Sequence, residues 1–315
     1  MKTFLTKTTI ALLIAGACYL AAGFMADGTT DEYYLRFTTS RQKSMVLGGS
    51  RSAQGLHPAV FNSAPYPMHF EGPLYNYSFT IAHSPYGPSY LRAIVAKLDT
   101  RARNGIFIVQ VDPWLLSASK HDPNDILRMT ERQRALGKML TFNWHPNYEY
   151  ILRYYDRGLG ALGHWPQGDP DTNAVLQNDG NLQLHITMDT ATVAERTRRK
   201  AALYERKMFR NRMPSPKRLE YLGKIVDLLK PHGSVMIVRF PVGEGIMDLE
   251  RRMDPQFDMR MQQFAQQRGV RYVNGSINSA AYRFTDGNHL DEPSGLRFSR
   301  QLADELLRAR GEPQP

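Results

Sequence analysis

The stretch Ile106–Val111 (IFIVQV) carries one polar residue, no charge, and a stop at Asp112-Pro113. Such an unbroken apolar run buries both of its faces, as a strand of a parallel sheet does when helices cover each side. Working outward, Ser44–Gly48 (SMVLG) and Ser234–Phe240 (SVMIVRF) have the same character, and Pro73–Phe79 (PLYNYSF) and Val270–Val273 read as further strands. Helical spacing stands between them. Tyr90–Thr100 sets Leu91, Ile94, Val95 and Leu98 on one face. Pro216–Lys230 does the same with Leu219, Leu222, Ile225, Val226 and Leu229. Pro255–Arg268 and Ser294–Arg310 read as two more helices, and Gly269 and Pro231-His232-Gly233 are stop signals. Strands alternating with helices predict an α/β fold on a parallel sheet covered on both faces. Residues 115–215 break the alternation and read as a large irregular insertion. It holds Trp144, Trp165 and the tyrosine-rich run 148–158. Such a segment lies on a bilayer, forms a substrate cleft, or simply packs.

The chain has 315 residues, 42% of them hydrophobic and 10% aromatic, which supports a folded core and excludes collagen-like or disordered chains. A single cysteine, Cys18, excludes an intrachain disulfide framework and an all-cysteine zinc site. The nine histidines show no HExxH or other ligand spacing, so neither a metal nor a cofactor is expected. Lys2 and Lys7 precede Thr8–Ala26, nineteen residues without a charge. That run matches a hydrocarbon core of about 30 Å. Basic residues before it predict the amino end inside and the body outside. Residues 1–26 are thus read as an anchor in the inner membrane. Residues 27–315 are the body, facing the periplasm or the exterior. A cleaved signal peptide and a lipoprotein cut at Ala15-Gly16-Ala17-Cys18 are the alternatives, and both leave the body outside.

Forty Lys+Arg against thirty Asp+Glu leave a net charge of +10. Extracytoplasmic placement, with no RNA-binding, zinc-finger or helix-turn-helix signature, argues against nucleic acid as the partner. Ten basic residues crowd Glu195–Arg218. They fit either a solvated helix face or docking to anionic lipid or polymer.

Ligands of parallel sheets bind beyond the carboxyl ends of the strands. There the first strand runs into Gly48-Gly49-Ser50-Arg51-Ser52. Two glycines permit a tight turn, and Ser50 is either a helix cap or an exposed nucleophile beside backbone N–H groups. Asp286-Gly287-Asn288-His289 precedes the last helix. A serine needs a base to react, and a histidine oriented by a carboxylate supplies one. Arg51 and Arg239 also stand at strand ends, where they would meet an anionic group of the substrate, Arg239 alternatively forming an ion pair.

The blocks LGGSRSAQGLHP (47–58) and DGNHLDEPSG (286–295) resemble those of the SGNH/GDSL hydrolase superfamily, and within it the membrane-anchored DltD-like and alginate O-acetylation-like branch. The resemblance implies a flavodoxin-like three-layer α/β/α sandwich with a mainly parallel sheet. It implies Ser50 as nucleophile, His289 as general base and acid, and Asp286 as its orienter. The N–H of Ser50 or Arg51 would be one oxyanion donor. Asn76, in Asn76-Tyr77-Ser78-Phe79-Thr80, and Gly87 further on stand where the second block supplies others. Val111-Asp112-Pro113 replaces the family's Gly-x-Asn-Asp. The implied function is an anchored serine O-acyltransferase or esterase acting on an anionic envelope polymer or polysaccharide, beside a membrane partner that delivers acyl groups. The alternative is a non-catalytic SGNH-like binding or assembly protein of such a system.

Overall fold

Every residue of β1 (Ser44–Leu47) and β3 (Gly105–Gln110) is buried, and side chains alternate between two cores. The computed structural model describes residues 1–27, 31–63, 69–121, 124–154 and 172–311. In chain order, α1 (Lys2–Gly23) and α2 (Tyr34–Thr38) precede β1. They are followed by α3 (Ser50–Gly55), α4 (Pro58–Asn62), β2 (Leu74–Asn76), α5 (Pro88–Lys97), β3 and β4 (Ser117–Ser119). Next come α6 (Ala135–Lys138), α7 (Tyr148–Arg153), β5 (Thr172–Leu176), β6 (Leu182–Ile186), α8 (Thr190–Leu203), β7 (Arg212–Pro214) and α9 (Pro216–Leu229). The chain closes with β8 (Gly233–Arg239), α10 (Glu244–Met253), α11 (Phe257–Arg268), β9 (Arg271–Asn274) and α12 (Glu292–Arg310).

Five strands form one sheet in the order β2-β1-β3-β8-β9, and every pairing is parallel. Phe107, Val109, Val235 and Ile237 point into one core with Ile94, Leu222, Val226 and Met261 of α5, α9 and α11. Ile106, Ile108, Met236 and Val238 point into the other with Phe61 of α4 and Phe298, Leu302 and Leu306 of α12. Helices therefore flank both faces, and the strand order reverses between β1 and β3. That reversal opens a crevice at the carboxyl ends of these strands.

Four expectations change. The second strand shortens to Leu74–Asn76, because the Asn76 side chain accepts the Ser78 N–H and turns the chain. The helix expected from Pro255 is preceded by a separate one, α10, whose Ile246, Met247 and Leu249 form a further apolar cluster with Trp114 and Tyr204. The segment 115–215 carries short regular elements between loops where it is described. β4 pairs antiparallel with β7 at its neck, and β5 and β6 form a hairpin. Trp165 and residues 155–158 lie outside the described residues. The basic stretch Glu195–Arg218 is not one face. It runs through α8, a π-turn at Tyr204–Phe209, β7 and the start of α9. Arg218 is buried against Glu131 at 2.6 Å.

α1 is a 22-residue helix of mean hydropathy 1.6, long and apolar enough to cross a membrane, and no residue of its apolar window is buried by the body. Cys18 lies on it, exposed.

Candidate active site

Ser50 opens α3 directly after the Gly48-Gly49 turn at the end of β1. Gly48 has φ +156°, and a Cβ there would stand 2.5 Å from the side chains of Gln110 and Ser52, so only glycine fits. The turn is held from outside. Gly48 N–H donates to Tyr90 Oη at 2.9 Å, and Gly49 and Ser52 N–H both donate to Gln110 Oε1 at 3.0 and 2.9 Å. Gln110 Nε2 donates in turn to Asp112 at 2.6 Å, which fixes which end of the amide faces the turn. The N–H groups of Ser50 and Arg51, at the first two positions of α3, have no acceptor among the described residues. They point where a helix start favours negative charge.

The Ser50 hydroxyl caps no helix. It lies 2.8 Å from His289 Nε2. His289 Nδ1 lies 3.1 and 3.0 Å from the two oxygens of Asp286. A carboxylate only accepts, so Nδ1 carries the proton and the Nε2 lone pair faces the serine O–H. The turn also organises itself: the N–H groups of Asn288 and His289 both donate to Asp286 Oδ1 at 3.0 Å.

Lys200 of α8 reaches the other Asp286 oxygen at 2.9 Å. Burial pushes the Asp286 carboxyl up. The charges and hydrogen bonds of His289 and Lys200 outweigh burial and hold it well below the usual carboxylate range. It is therefore ionised at neutral pH.

The two turns are bonded to each other. Arg51, next to the serine, donates through Nε and Nη2 to Asn288 Oδ1 at 3.1 and 2.9 Å. Because arginine only donates, the other end of that amide, Asn288 Nδ2, faces His289 Nε2 at 3.1 Å. Behind this contact, the fully buried Glu250 bridges Arg51 at 2.6 Å and Arg239 at 2.7 Å, and Arg239 also pairs with Asp258 at 2.6 Å. Arg51 is 4% exposed and Arg239 3%. Burial lowers the affinity of both guanidinium groups for their proton, but Glu250 and its fellow carboxylates more than restore it. These charges are spent inside the protein. The expectation that Arg51 and Arg239 receive an anionic substrate group is replaced by a structural role.

Two further expected donors are also engaged elsewhere. Asn76 is fully buried, and its Nδ2 donates to the Ser52 and Leu56 carbonyls at 2.7 and 3.1 Å, so it clamps α3 instead of facing a substrate. Gly87 is the N-cap of α5, and a Cβ there would stand 2.9 Å from Glu131 beside the buried Glu131–Arg218 pair. Asp112 is buried, and burial raises its carboxyl against the pull of Arg51.

Sequence reasoning missed Gln110, Glu250, Asn288 and Lys200. One signal was present for Glu250: a lone acid among Ile246, Met247, Leu249 and Met253 on a helical stripe demands a buried cation. A cavity of about 370 Å³ adjoins the Asp286–His289 turn, lined by Met188, Val193 and Thr197 of the α8 region and by Phe284 and Gly287. Among the described residues, no group of three or more His, Cys, Asp or Glu side chains is placed to hold a metal ion. No protein-family model matches the chain, and no curated protein matches it.

Proposed function

We propose that the protein is an acyl-transferring serine enzyme of SGNH/GDSL type, anchored by α1 and acting outside the cytoplasm on a hydroxyl-bearing envelope polymer or polysaccharide. The observation that carries this reading is the Ser50–His289–Asp286 chain, closed at 2.8 and 3.0 Å between residues 239 apart in sequence. The strand order supports it: taken as five strands, 2-1-3-4-5 is the flavodoxin-like arrangement, and Ser50 stands at its switch point.

The steps follow from the geometry. Ser50 Oγ attacks the carbonyl carbon of an ester or thioester, and its proton passes to His289 Nε2. Asp286 stabilises the imidazolium without taking a proton. The oxyanion is met by the N–H groups of Ser50 and Arg51. Collapse expels the alcohol or thiol, which takes the proton from Nε2 and leaves acyl-Ser50. A hydroxyl of the acceptor, or water, then attacks. Its proton goes to Nε2 and returns to Ser50 Oγ when the new ester or acid leaves.

The test is labelling by a fluorophosphonate probe. It should modify the wild-type protein at Ser50 and leave Ser50→Ala unlabelled. Acyl content of the envelope polymer that is the same in Ser50→Ala as in the wild type would sink the reading. The second reading, a non-catalytic assembly protein on the same fold, draws on the engagement of Asn76 and Gly87 elsewhere. It requires that the probe fail on the wild type as well.

A further inference from the structure

Leu140, Trp144 and Leu152 are 76%, 72% and 70% exposed. Exposed apolar side chains on a folded body call for a partner where they adjoin a feature that names one. These three share a short segment with the residues that receive the end of α1. Tyr148 Oη donates to the Leu20 carbonyl at 2.6 Å, and its ring lies 6.4 Å from that of Tyr19. The same ring covers Gly23, where a Cβ would stand 2.6 Å from it. Phe24 meets His145 edge-on at 6.2 Å. Tyr148 and Leu152 are four residues apart on α7 and so lie on one side of that helix.

The segment is not a loose loop. Asn143, at φ +66°, donates its N–H to Phe37 O at 3.0 Å and its amide to Ala96 O at 2.9 Å. Asn147 donates its amide to Phe37 O at 3.2 Å. Glu149 accepts the N–H groups of Leu140 and Thr141. The indole of Trp144 is thus held out in solvent between two asparagines pinned to the body. Tryptophan, with an apolar body and an N–H donor, suits surroundings that are part apolar and part wet.

The length of α1 says what those surroundings are. Its charge-free part, Thr8 to Gly23, spans only about 24 Å, less than a hydrocarbon core of about 30 Å, so the carboxyl end of α1 lies at or within the edge of that core. Leu20 stands three residues before the end, about 4.5 Å along the axis. A phenol bonded there sits at the level where headgroups meet acyl chains, the zone in which tyrosine and tryptophan concentrate.

We propose that the face carrying Leu140, Trp144 and Leu152 rests in the bilayer interface around the exit of α1, so that the body lies on the membrane instead of hanging from a tether. The occupant of this face is lipid, at the depth of about 5–10 Å typical of interfacial segments. The inference does not depend on the reaction at Ser50.

The test uses the full chain in a Cys18→Ser background with Trp144→Cys, Leu152→Cys or, as control, Ile277→Cys, the last equally exposed at 77% but remote from α1 in sequence. Each is labelled with an environment-sensitive fluorophore and reconstituted into phosphatidylcholine–phosphatidylglycerol vesicles containing a lipid with a shallow doxyl quencher. Positions 144 and 152 should lose at least half of their emission, while position 277 keeps its own. Equal behaviour at all three, quenched or not, overturns the proposal, as does a face that is shielded without being quenched, which would indicate a protein partner. The readout involves no catalysis, so its failure leaves the acyl-serine reading standing.

Discussion

Asp286 receives three hydrogen bonds from its own turn, two from backbone N–H groups and one from the His289 ring. The turn of Ser50 instead takes its partners from elsewhere: Tyr90 on α5, Gln110 on β3, and Ser84, whose hydroxyl donates to Gly48 O at 2.6 Å. The His289 turn is therefore built locally and the Ser50 turn is built by the fold. Damage to the histidine turn should fall mainly on the chemistry, and damage around the serine turn on stability as well. The contact between Arg51 and Asn288 is where the two halves meet.

The largest effect expected is that of Asp286→Asn. It keeps acceptors for the turn N–H groups but removes the charge that fixes the imidazole tautomer. Fluorophosphonate labelling of Ser50 should slow by about 10³–10⁴-fold. A rate within tenfold of wild type would refute the assignment. The same variant tests linkage. The folded-state Asp286 titrates below its unfolded value, near 3.9. The stability it contributes is thus present above about pH 4 and is lost as pH falls through the folded value. Urea melts should show the largest gap between wild type and Asp286→Asn above pH 4, and the gap should narrow steadily as pH falls below that.

Gln110→Ala comes next and breaks the comparison from the other side. It leaves the Gly49 and Ser52 N–H groups without their acceptor, each at about 1–3 kcal/mol. It also frees Ser50 to shift, and a displacement of about 1 Å costs on the order of 10²-fold in rate. Both the denaturation midpoint and the labelling rate should fall. A loss of rate with unchanged stability would mean that the serine turn holds itself after all.

Asn288→Ala removes the bridge between the turns and should slow labelling by about tenfold, close to 1.4 kcal/mol, with Arg51 still held by Glu250. Smallest is Lys200→Met, which removes one partly exposed ion pair worth about 1 kcal/mol or less. It should slow labelling only a few-fold, and Lys200→Arg should restore the rate.

How far the sequence could be read follows the same division. Ile106–Val111 was legible because burial on both faces leaves a continuous apolar run, whatever its neighbours are. Asp286 and His289 were legible because three residues separate them and a glycine turn joins them. Gln110 was not, since an amide at the end of an apolar strand gains its meaning only from Gly49 and Ser52, some sixty residues earlier. The partner of Arg51 and Arg239 was not legible, because Glu250 lies 199 and 11 residues away on a helix the stop signals did not reveal; an ion pair was foreseen for Arg239 only as an alternative, without its partner. Trp144 was noticed, but periodicity cannot tell an aromatic that packs from one that two pinned asparagines hold outward.

The separation of 239 residues between Ser50 and His289 has a consequence in time. Synthesis proceeds at roughly 5–20 residues per second, so Ser50 precedes His289 by about 12–48 s. During that interval the Ser50 hydroxyl has no imidazole beside it, although β2 and β3, which flank β1, are already made. On the proposed acyl-serine reading, reactivity should arise only after α12 packs onto the sheet and brings the His289 turn beside β1. A partly made or carboxy-terminally clipped chain should then be silent towards esters, and reaction at Ser50 should report that the whole body has been completed.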